Sequence, residues 1–236
     1  MSHHDPVALV TGASRGLGRA LTAELAGMGW RVVADARDGV RLAHAVGAMP
    51  RPEAVTAIPG DVADPWHRAR LADAVDRAGR LDLLVNNASA LGPSPMPRLA
   101  DYPLRELERV LAVNVVAPIA LLQLLAARLE ASDGRIVNVS SDAAVEGYEG
   151  WGGYGAAKAA LDQASAVAAA EHPGLRVYAF DPGDMATDMH QRAFPGEDIS
   201  DRPSPESVVP SLLRLAGGDL PSGRYRAADF GAPVPA

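Results

Sequence analysis

Tyr154 and Lys158 are the first pair of side chains in this sequence whose types and spacing could do chemistry. They stand four residues apart, so on a helix both side chains emerge on the same face, close enough to act together. A free tyrosine has a pKa of about 10 and is a poor acid or base near neutral pH. A neighbouring ammonium group favours the phenolate and lowers that pKa. The pair therefore indicates proton transfer, although Tyr and Lys at this spacing also occur on many helix surfaces.

Three further polar residues stand beside or inside apolar runs. Ser140 and Ser141 end such a run, and because successive side chains of a strand face opposite ways, only one of the two can reach a substrate. Asn114 interrupts the uncharged stretch 110–127, and a buried polar side chain needs a hydrogen-bond partner. Asn114 and one of the two serines are therefore site candidates.

A glycine-rich segment, TGASRGLG at residues 11–18, stands where a first predicted strand turns into a helix. We expect Gly12 to allow a tight turn, Gly16 to let the backbone approach a pyrophosphate, and Gly18 to allow close packing of helix and strand. The helix N-terminus would then present free N–H groups and its positive dipole end to the phosphates. A glycine pattern alone is a weak signal, but its place after the first strand of an alternating chain favours dinucleotide binding.

The elements that must hold these residues alternate between strand and helix. Apolar runs predict six strands, at residues 7–10, 31–34, 54–58, 81–85, 135–139 and 175–180. The spacing of Leu17, Leu21, Leu25 and Met28 predicts the first helix. Further helical patterns cover 65–79, 104–130 and 153–171, and another begins near Glu206. This alternation predicts right-handed crossovers and an α/β fold with a doubly wound parallel sheet covered by helices on both faces.

Two segments interrupt this alternation. Residues 91–103 contain four prolines and predict an ordered surface loop. Residues 182–205 are rich in Gly, Pro, Asp and Ser and are too long for a plain connector. We expect a lid over a site at about 184–205, with a disordered insertion as the alternative. No repeat or linker divides the chain, so a single domain over 1–236 is predicted.

Composition narrows the possible chemistry and partners. The chain has 236 residues, 48% of them hydrophobic, a formal net charge of -7 and no cysteine. These figures fit one soluble domain and exclude disulfides, a thiolate metal site and a cysteine nucleophile. The acidic balance argues against nucleic acid or an anionic membrane as the main partner. Metal-ligand spacing is absent from the histidines, so no metal is predicted; they are His3, His4, His44, His67, His172 and His190.

Two segments bear on where the chain works. Residues 1–6 carry no basic region followed by an apolar stretch, so no signal peptide is predicted and a cytoplasmic location is expected. The uncharged stretch 110–127 is just long enough to be read as a membrane span. Asn114, Pro118 and Gln123 within it favour instead a helix buried by protein on most faces, and we expect no membrane.

Taken together, the motifs resemble those of the classical short-chain dehydrogenases/reductases, and the resemblance covers nearly the whole chain. The segment at 11–18 matches the family's TGxxxGxG, residues 86–88 (Asn-Asn-Ala) match NNAG, and residues 154–158 match YxxxK. Asn114, Ser141 and Pro182-Gly183 also stand in their places in the family's order. The resemblance implies a Rossmann fold with a mostly parallel, seven-stranded sheet.

The same resemblance implies a catalytic set of Asn114, Ser141, Tyr154 and Lys158. Tyr154 would give a proton to a carbonyl oxygen as hydride arrives from a nicotinamide, and Lys158, the only lysine in the chain, would hold the nicotinamide ribose hydroxyls. The family's serine stands thirteen residues before the tyrosine; this spacing selects Ser141 to bond the substrate carbonyl and leaves Ser140 to cap or pack. Asn114 matches the residue that holds a water in the proton relay to Lys158.

A nicotinamide dinucleotide cofactor follows from the same comparison. Asp61 would lie near the adenine ring, unless it is only an exposed turn aspartate, and Asn86 would stabilise the central strand and line the adenosine side. Pro182 would abut the nicotinamide and Thr187 would bond its carboxamide. The full set expected to bind the cofactor is Gly12, Ser14, Arg15, Gly16, Leu17, Gly18, Arg37, Asp61, Val62, Asn87, Ala88, Tyr154, Lys158, Pro182, Gly183 and Thr187.

Charge at the end of the second strand favours NADP(H) over NAD(H). A carboxylate there takes both ribose hydroxyls of NAD and repels a 2′-phosphate, whereas arginine attracts the phosphate. In the family's register the discriminating position is Ala36, and Asp35, one residue earlier, should point to the opposite side of the strand. Arg37 follows, and Arg15 in the glycine loop can close on the same phosphate. NADP(H) is therefore predicted, with NAD(H) possible.

Two places depart from the family's pattern. Ser89 stands where the family usually has glycine, and serine is tolerated there unless its φ must be positive. Residues 224–236 lack the Asp-Gly-Gly that many members carry, which weakens the analogy with common ketoacyl and steroid reductases.

The implied function is an NADP(H)-dependent oxidoreductase that reversibly reduces a ketone or aldehyde to an alcohol, with Tyr154 as general acid and base. The alternative is a non-catalytic NADP(H)-binding sensor or scaffold, which would need neither Ser141 nor Tyr154. A nucleotide-sugar epimerase or dehydratase ranks last, because only about fifty residues follow Pro182. Members of the family commonly pair through the long apolar helix and the tyrosine-bearing helix, and 110–127 has the composition of such an interface, so the resemblance implies a homodimer or homotetramer. Candidate substrate contacts are Tyr148, Trp151, Met185, Met189, His190 and Phe194.

Overall fold

Seven parallel strands form one sheet in the computed structural model, which describes residues 5–231. In chain order the strands are β1 (Val7–Val10), β2 (Arg31–Ala36), β3 (Val55–Pro59), β4 (Leu83–Asn86), β5 (Arg135–Val139), β6 (Arg176–Asp181) and β7 (Gly223–Arg226). Their order across the sheet is β3-β2-β1-β4-β5-β6-β7. The order reverses between β1 and β4, and in open α/β sheets the crevice at such a switch point binds ligands. The predicted doubly wound α/β fold is confirmed.

Helices cover both faces of the sheet. In chain order they are α1 (Gly16–Gly27), α2 (Gly39–Gly47), α3 (Pro65–Ala78), α4 (Leu104–Leu111), α5 (Ala117–Glu130), α6 (Gly152–Glu171), α7 (Asp188–Ala193) and α8 (Pro205–Gly217). One apolar core joins one face of the sheet to α1, α2 and α8, and a second joins the other face to α3, α5 and α6. All four residues of β1 and of β4 are buried, because helices cover these strands on both sides.

Local signals in the sequence begin and end several of these helices. Asp38 accepts a hydrogen bond from the Arg41 backbone N–H and caps α2, and Asp64 accepts one from the Trp66 N–H at the start of α3. Pro65 is the first residue of α3, where its missing N–H costs nothing. Gly79 ends α3 with a φ of 86°, a left-handed conformation that glycine adopts without a steric penalty.

The predicted 104–130 helix is interrupted. A π-helical turn, Ala112–Val116, separates α4 from α5 and contains Asn114. The whole stretch Leu104–Glu130 is also the one helical stretch among residues 5–231 that is long and apolar enough to cross a membrane by length and composition. One of its faces packs on the sheet, while Val116, Ile119 and Leu124 are exposed. The prediction that protein buries this helix on most faces is therefore wrong for the single chain.

The 182–205 segment contains a short helix that the sequence did not predict. α7 begins after Thr187, whose hydroxyl oxygen accepts a hydrogen bond from the His190 N–H. The remainder has no regular structure, but contacts within the segment hold it: the Ala186 N–H donates to the carbonyl of Pro203, and Nε of Arg202 lies 3.7 Å from Oδ2 of Asp184. Several residues of this segment face the main cavity. The hypothesis that the segment is a lid stays a prediction.

Candidate active site

A cavity of about 840 Å³ opens at the carboxyl ends of the central strands, beside the switch point between β1 and β4. Its walls come from the glycine loop, the ends of β2, β4, β5 and β6, the start of α6, and α7. Among the residues predicted for catalysis or cofactor binding, all but Gly18 and Asn114 line it. The fold thus gathers residues that are up to 175 positions apart in the chain, from Gly12 to Thr187, into one site.

The glycine loop at residues 11–18 has the backbone that its sequence predicts. Gly12 has a φ of 69° and Gly16 a φ of 53°, both in the left-handed region that side chains disfavour. A Cβ on Gly18 would collide with the carbonyl of Gly12 and the side chain of Asn87, so Gly18 allows the close packing of α1 against the loop. No side chain caps the N-terminus of α1, so its first N–H groups are available to an anion.

Asn87, the residue directly after β4, holds the glycine loop by hydrogen bonds. Its side-chain Nδ2 donates to the carbonyls of Thr11 and Gly12 at 2.8 and 3.2 Å. The hydroxyl of Thr11 accepts the backbone N–H groups of Asn87 and Ala88 at 3.0 and 2.9 Å. Asn87 and Ala88 therefore fix the shape of the loop as well as lining the cavity.

Asn86 does not line the cavity, so that part of its prediction is wrong. Its side chain is buried and donates to Oδ1 of Asn138 in β5 at 2.7 Å, and Asn138 donates in turn to the Ser165 hydroxyl in α6. This chain of amides links β4, β5 and α6. The predicted role in stabilising the central strands agrees with these contacts.

The carboxylate of Asp35, at the end of β2, is committed to the protein. Its Oδ1 accepts the Gly12 N–H at 2.9 Å, and its Oδ2 lies 3.0 Å from Nε2 of His67. Asp35 and His67 are both about 2% exposed. Ala36 points to the other side of the strand and packs in the core with α1 and α2. The strand therefore ends without a carboxylate that is free to take ribose hydroxyls.

Charged side chains of both signs line the same end of the cavity, among them Asp38, which caps α2 and lies 3.8 Å from Nε of Arg41. Arg15, Arg37 and Arg41 all line this end, although the sequence analysis did not single out Arg41. Nη1 of Arg15 lies 2.7 Å from Oδ2 of Asp188, and Nη1 of Arg41 lies 3.5 Å from the same oxygen. Asp188 opens α7, so the 182–205 segment places a carboxylate between two arginines next to the glycine loop.

Asp61 and Val62 form the wall beyond the end of β3. Oδ1 of Asp61 accepts the Ala63 N–H at 2.9 Å in a tight turn, and its partly buried side chain faces the cavity. Val62 is buried, and its carbonyl accepts a hydrogen bond from the buried Arg68. Both residues lie at the same end of the cavity as the arginines, where the resemblance expects the adenine ring.

Tyr154 and Lys158 lie in the first two turns of α6, at the other end of the cavity. Both are buried, and Nζ of Lys158 lies 5.5 Å from the centre of the tyrosine ring. Lys158 donates a 2.6 Å hydrogen bond to the carbonyl of Val139 at the end of β5. The structure therefore brings together the pair that the spacing suggested.

Burial has opposite effects on the two ionisable groups of this pair. It raises the pKa of Tyr154 to about 12, while hydrogen bonding to Ser89 and Ser141 lowers it in part. Burial lowers the pKa of Lys158 to about 8, and the carboxylate of Asp162 acts in the opposite direction. In the chain alone burial dominates and the tyrosine pKa is raised; the lowering expected from Lys158 together with an oxidised nicotinamide stays a prediction.

Ser141 lies beside the tyrosine, but its hydroxyl also has another partner. Its Oγ donates to Oδ1 of Asp142 at 2.9 Å and accepts the Ala143 N–H at 3.2 Å. Ser140 is buried, and its hydroxyl has no hydrogen-bond partner among the described residues. Asp142 therefore contacts the candidate catalytic serine, a neighbour that the sequence did not predict.

Asn114 serves the loop after β4 rather than the cavity wall. Its Oδ1 accepts the Ala90 N–H at 2.7 Å and its Nδ2 donates to the Ala90 carbonyl at 2.9 Å. Oδ1 also accepts the Ser89 hydroxyl at 3.3 Å. The side-chain amide is thus engaged at both ends, and the expectation that Asn114 holds a water in the proton relay stays a prediction. The partner that a buried Asn requires is the Ala90 peptide.

Ser89 itself is unstrained. Asp133 is the only non-glycine residue with a positive φ within 5–231, so serine replaces the family's glycine here without a backbone penalty. Its hydroxyl lies between Asn114 and Tyr154 and contributes to the hydrogen bonding that lowers the tyrosine pKa. The departure from the pattern therefore adds a polar group to the site.

The Pro182-Gly183 turn and an aromatic cluster close the far end of the cavity. Gly183 has a φ of 71°, and its N–H donates to Oδ1 of Asp181 at 3.0 Å. Trp151 packs edge-on against Tyr154, with ring centres 5.6 Å apart, and 5.9 Å from Phe194. Phe194 in turn lies 4.8 Å from His190. Of the substrate contacts predicted from the sequence, Trp151, Met189 and Phe194 therefore pack in one cluster with Tyr154.

No group of three or more His, Cys, Asp or Glu side chains that could hold a metal occurs in the part of the chain that the structure describes. The fold and the cavity together define a doubly wound domain with a dinucleotide-type glycine loop and a Ser, Tyr and Lys cluster at the opposite end of one cavity.

Comparisons with known proteins identify the family. A family model described as short chain dehydrogenase matches residues 6–198. Mouse sepiapterin reductase is 34% identical over 201 residues, which cover 79% of this chain and 77% of that protein. A 3-oxoacyl-[acyl-carrier-protein] reductase of rhamnolipid biosynthesis from Pseudomonas aeruginosa is 34% identical over 229 residues, 93% of this chain and 83% of that protein.

A solved structure agrees over almost the full length. A short chain dehydrogenase of Shigella flexneri, complexed with NADP, superposes with a TM-score of 0.85 at 29% identity and covers 95% of this chain and 97% of that one. The chain belongs to the short-chain dehydrogenase family, a family of oxidoreductases.

Proposed function

We propose that the protein is an NADP(H)-dependent oxidoreductase that reversibly reduces a ketone or aldehyde to the alcohol. One observation carries the proposal: Tyr154, Ser141 and Lys158 meet at one end of a cavity whose other end is a glycine loop at a helix N-terminus. A protein that only bound a dinucleotide would need the glycine loop but neither Ser141 nor Tyr154, so this arrangement favours catalysis over the sensor or scaffold alternative.

The residues present fit a nicotinamide dinucleotide. Gly16 lines the cavity, and a Cβ on it would meet only the side chain of Thr187 within 4 Å, at 3.5 Å, so the backbone there is open to a pyrophosphate. The start of α1 offers uncapped N–H groups to the same pyrophosphate. Pro182, Gly183 and Thr187 would hold the nicotinamide end. When bound, the nicotinamide supplies the hydride for reduction and accepts it in alcohol oxidation.

The preference for NADP(H) rests on charge at the adenosine end. Arg15, Arg37 and Arg41 line that end, and both carboxylate oxygens of Asp35 are engaged by Gly12 and His67. A 2′-phosphate would therefore meet guanidinium groups and no free carboxylate from β2. A solved relative that holds NADP is consistent with this choice.

The chain's own residues would move the proton. Burial keeps Tyr154 protonated at neutral pH, so in carbonyl reduction its hydroxyl can donate a proton to the substrate oxygen. Ser141 would hydrogen-bond the same oxygen as negative charge develops on it. Lys158 is fixed by the Val139 carbonyl and, as an ammonium group, favours the phenolate that remains after transfer.

The substrate end suits an uncharged, largely apolar carbonyl compound. Trp151 and Tyr154 form an aromatic wall, Phe194 packs against Trp151, and Leu91 and Met189 pack in the same cluster. His190 also lines the cavity, but its Nε2 is buried and has no hydrogen-bond partner among the described residues, so a polar group on the substrate would reach it only after the side chain moves.

We also propose that two copies associate through the exposed apolar faces of α5 and α6. Ile119 and Leu124 on α5 and Val167 on α6 are between 38% and 48% exposed. Covering such apolar side chains in a contact between two copies is favourable in water. Light scattering at micromolar concentration should give a dimer or tetramer, and a monodisperse monomer would rule out this part. Separately, we propose that the protein works in the cytoplasm.

Cofactor absorbance tests the function directly. Consumption of NADPH should be followed with quinones, diketones, steroids, sugars and acyl thioesters, alongside NADPH binding by fluorescence. The proposal predicts turnover of at least one uncharged carbonyl class. Tight NADPH binding with no turnover of any class would instead favour the sensor alternative.

A further inference from the structure

Arg224, in β7, lies directly behind the candidate active site and joins three buried or partly buried groups. Its Nε donates to Oδ2 of Asp162 at 3.0 Å. Its Nη2 donates to Oδ2 of Asp181 at 3.1 Å and to the backbone carbonyl of Ser141 at 2.9 Å. The arginine side chain is 26% exposed, and the two carboxylates are 16% and 6% exposed.

The three partners belong to the three segments that carry the candidate reacting groups. Ser141 lies two residues beyond the end of β5, and Asp162 lies one helical turn beyond Lys158 in α6. Asp181 ends β6, and its other oxygen accepts the N–H of Gly183 in the turn expected at the nicotinamide. One guanidinium group therefore ties together the serine, the tyrosine-bearing helix and the turn.

We propose that Arg224 is a positioning residue for the reaction proposed above: it fixes the serine, α6 and the Pro182-Gly183 turn relative to one another, and it balances the two carboxylates behind the site. The proposal rests on the proposed function. Arg224 touches neither the expected substrate nor the cofactor, so it would act through Ser141, Asp162 and Asp181.

The chemistry of the side chain fits this role. A guanidinium group has five N–H donors in a planar fork and remains charged when buried, so it can bond several acceptors at fixed angles. Lysine offers a single compact charge at the end of a flexible stem. Removing one partner of a buried ionic cluster leaves uncompensated charge, which makes Asp162 and Asp181 dependent on Arg224.

Arg224 also pairs with two carboxylates whose charges act on the reacting pair. Burial raises the pKa of Tyr154 most, hydrogen bonding with Ser89 and Ser141 lowers it, and the charges of Asp181 and Asp142 raise it further. The ammonium group of Lys158 faces the same ring.

In α6 itself, burial lowers the pKa of Lys158 and the charge of Asp162 opposes that effect by raising it. The other close polar neighbour of Lys158 is the Val139 carbonyl. Arg224 offsets the charges of Asp162 and Asp181, so its loss should strengthen both upward effects.

The sign of the pH effect follows. Alcohol oxidation needs Tyr154 as phenolate, so its rate falls as pH drops below the pKa of the tyrosine. Without the charge of Arg224 the phenolate is less favourable, and the acid limb of kcat/KM for oxidation should move to higher pH by roughly 0.5 to 1 unit.

Three variants separate geometry from charge. Arg224→Gln removes the charge, whereas Arg224→Lys keeps the charge but cannot bond all three acceptors. Arg226→Gln is the matched control on the same strand, because Arg226 is exposed and pairs with Asp229 away from the site. Each variant is measured for thermal stability, for NADPH affinity, and for kcat and KM of oxidation across pH.

The expected pattern is specific. Arg224→Gln should lower kcat by at least about tenfold and shift the acid limb upward, Arg224→Lys should lower kcat without that shift, and Arg226→Gln should change neither. Unchanged kcat and unchanged pH profile in a folded Arg224→Gln protein would overturn the proposal. An equal loss in Arg226→Gln would overturn it as well.

A second measurement does not depend on turnover. The phenolate absorbance of wild type minus Tyr154→Phe reports the titration of Tyr154 alone, and the same difference can be taken in the Arg224→Gln background. An upward shift supports the inference even if no substrate is turned over, a result that would contradict only the proposed function. No shift in a folded protein contradicts the inference.

Misfolding of Arg224→Gln would not end the test. In the double variant Arg224→Gln with Asp162→Asn, one of the two uncompensated carboxylates is gone, so folding should recover. The tie to Ser141 remains lost, so kcat should stay low. A double variant with wild-type kcat would overturn the positioning role.

Discussion

Gly18 and Gly27 lie in the same helix, α1, and the structure predicts opposite results for the same substitution at each. A Cβ on Gly18 would overlap the carbonyl oxygen of Gly12 and Nδ2 of Asn87. A Cβ on Gly27 would meet nothing within 4 Å. Gly18→Ala therefore tests whether close packing of α1 against the glycine loop is what the glycine provides.

The expected magnitudes follow from these contacts. Forcing a methyl group against backbone atoms costs about 1–3 kcal/mol. Displacing Asn87 also weakens its bonds to Thr11 and Gly12, worth about 1 kcal/mol each. Replacing glycine by alanine in a helix returns about 0.5–1 kcal/mol. Gly18→Ala should thus lower the free energy of unfolding by about 2–4.5 kcal/mol, while Gly27→Ala should raise it by about 0.5 kcal/mol.

Urea unfolding followed by circular dichroism measures both changes. A titration with NADPH should show that the Gly18→Ala protein binds NADPH at least about tenfold more weakly than wild type, because the glycine loop must move, whereas the Gly27→Ala protein binds it normally. Equal stability changes in the two variants, or a Gly18→Ala protein as stable as wild type, would refute the packing argument.

Three further substitutions probe charge at the two ends of the cavity. Arg37→Asp should move the preference from NADPH towards NADH, with a loss of NADPH affinity of about 10- to 100-fold; an unchanged ratio of the two affinities would contradict the cofactor argument. Asp188→Asn should raise NADPH affinity about two- to fivefold and leave NADH affinity unchanged, because Arg15 and Arg41 lose a competing carboxylate. Lys158→Arg should lose most activity although it keeps the charge, since a forked guanidinium replaces a compact ammonium group that is 2% exposed; wild-type kcat would contradict this.

The sequence predicted the scaffold well because its signals are local. Apolar runs and helical spacing placed six of the strands to within one or two residues, and only the ends shifted, as in β2, which continues to Ala36. The glycine loop was predictable because its conformation is set by glycine at particular positions, and the structure gives Gly12 and Gly16 a positive φ.

Contacts between distant residues could not be predicted from one sequence. Asp188 lies 173 residues from Arg15, and Arg224 lies 83 residues from Ser141, so no spacing rule relates them. The π-helical turn at Ala112–Val116 also escaped prediction, because an apolar repeat predicts a continuous helix. Asn114 was correctly marked as a residue that needs a partner, but only the fold shows that the partner is the Ala90 peptide.

The central claim is that Tyr154 exchanges the proton at the substrate oxygen, and Tyr154→Phe tests it with the least disturbance. The phenyl ring keeps the edge-on packing against Trp151 and removes only the hydroxyl. NADPH affinity should stay within about twofold of wild type, while kcat for carbonyl reduction should fall by at least about a thousandfold. A Tyr154→Phe protein that binds NADPH and reduces the carbonyl at the wild-type rate would contradict the account.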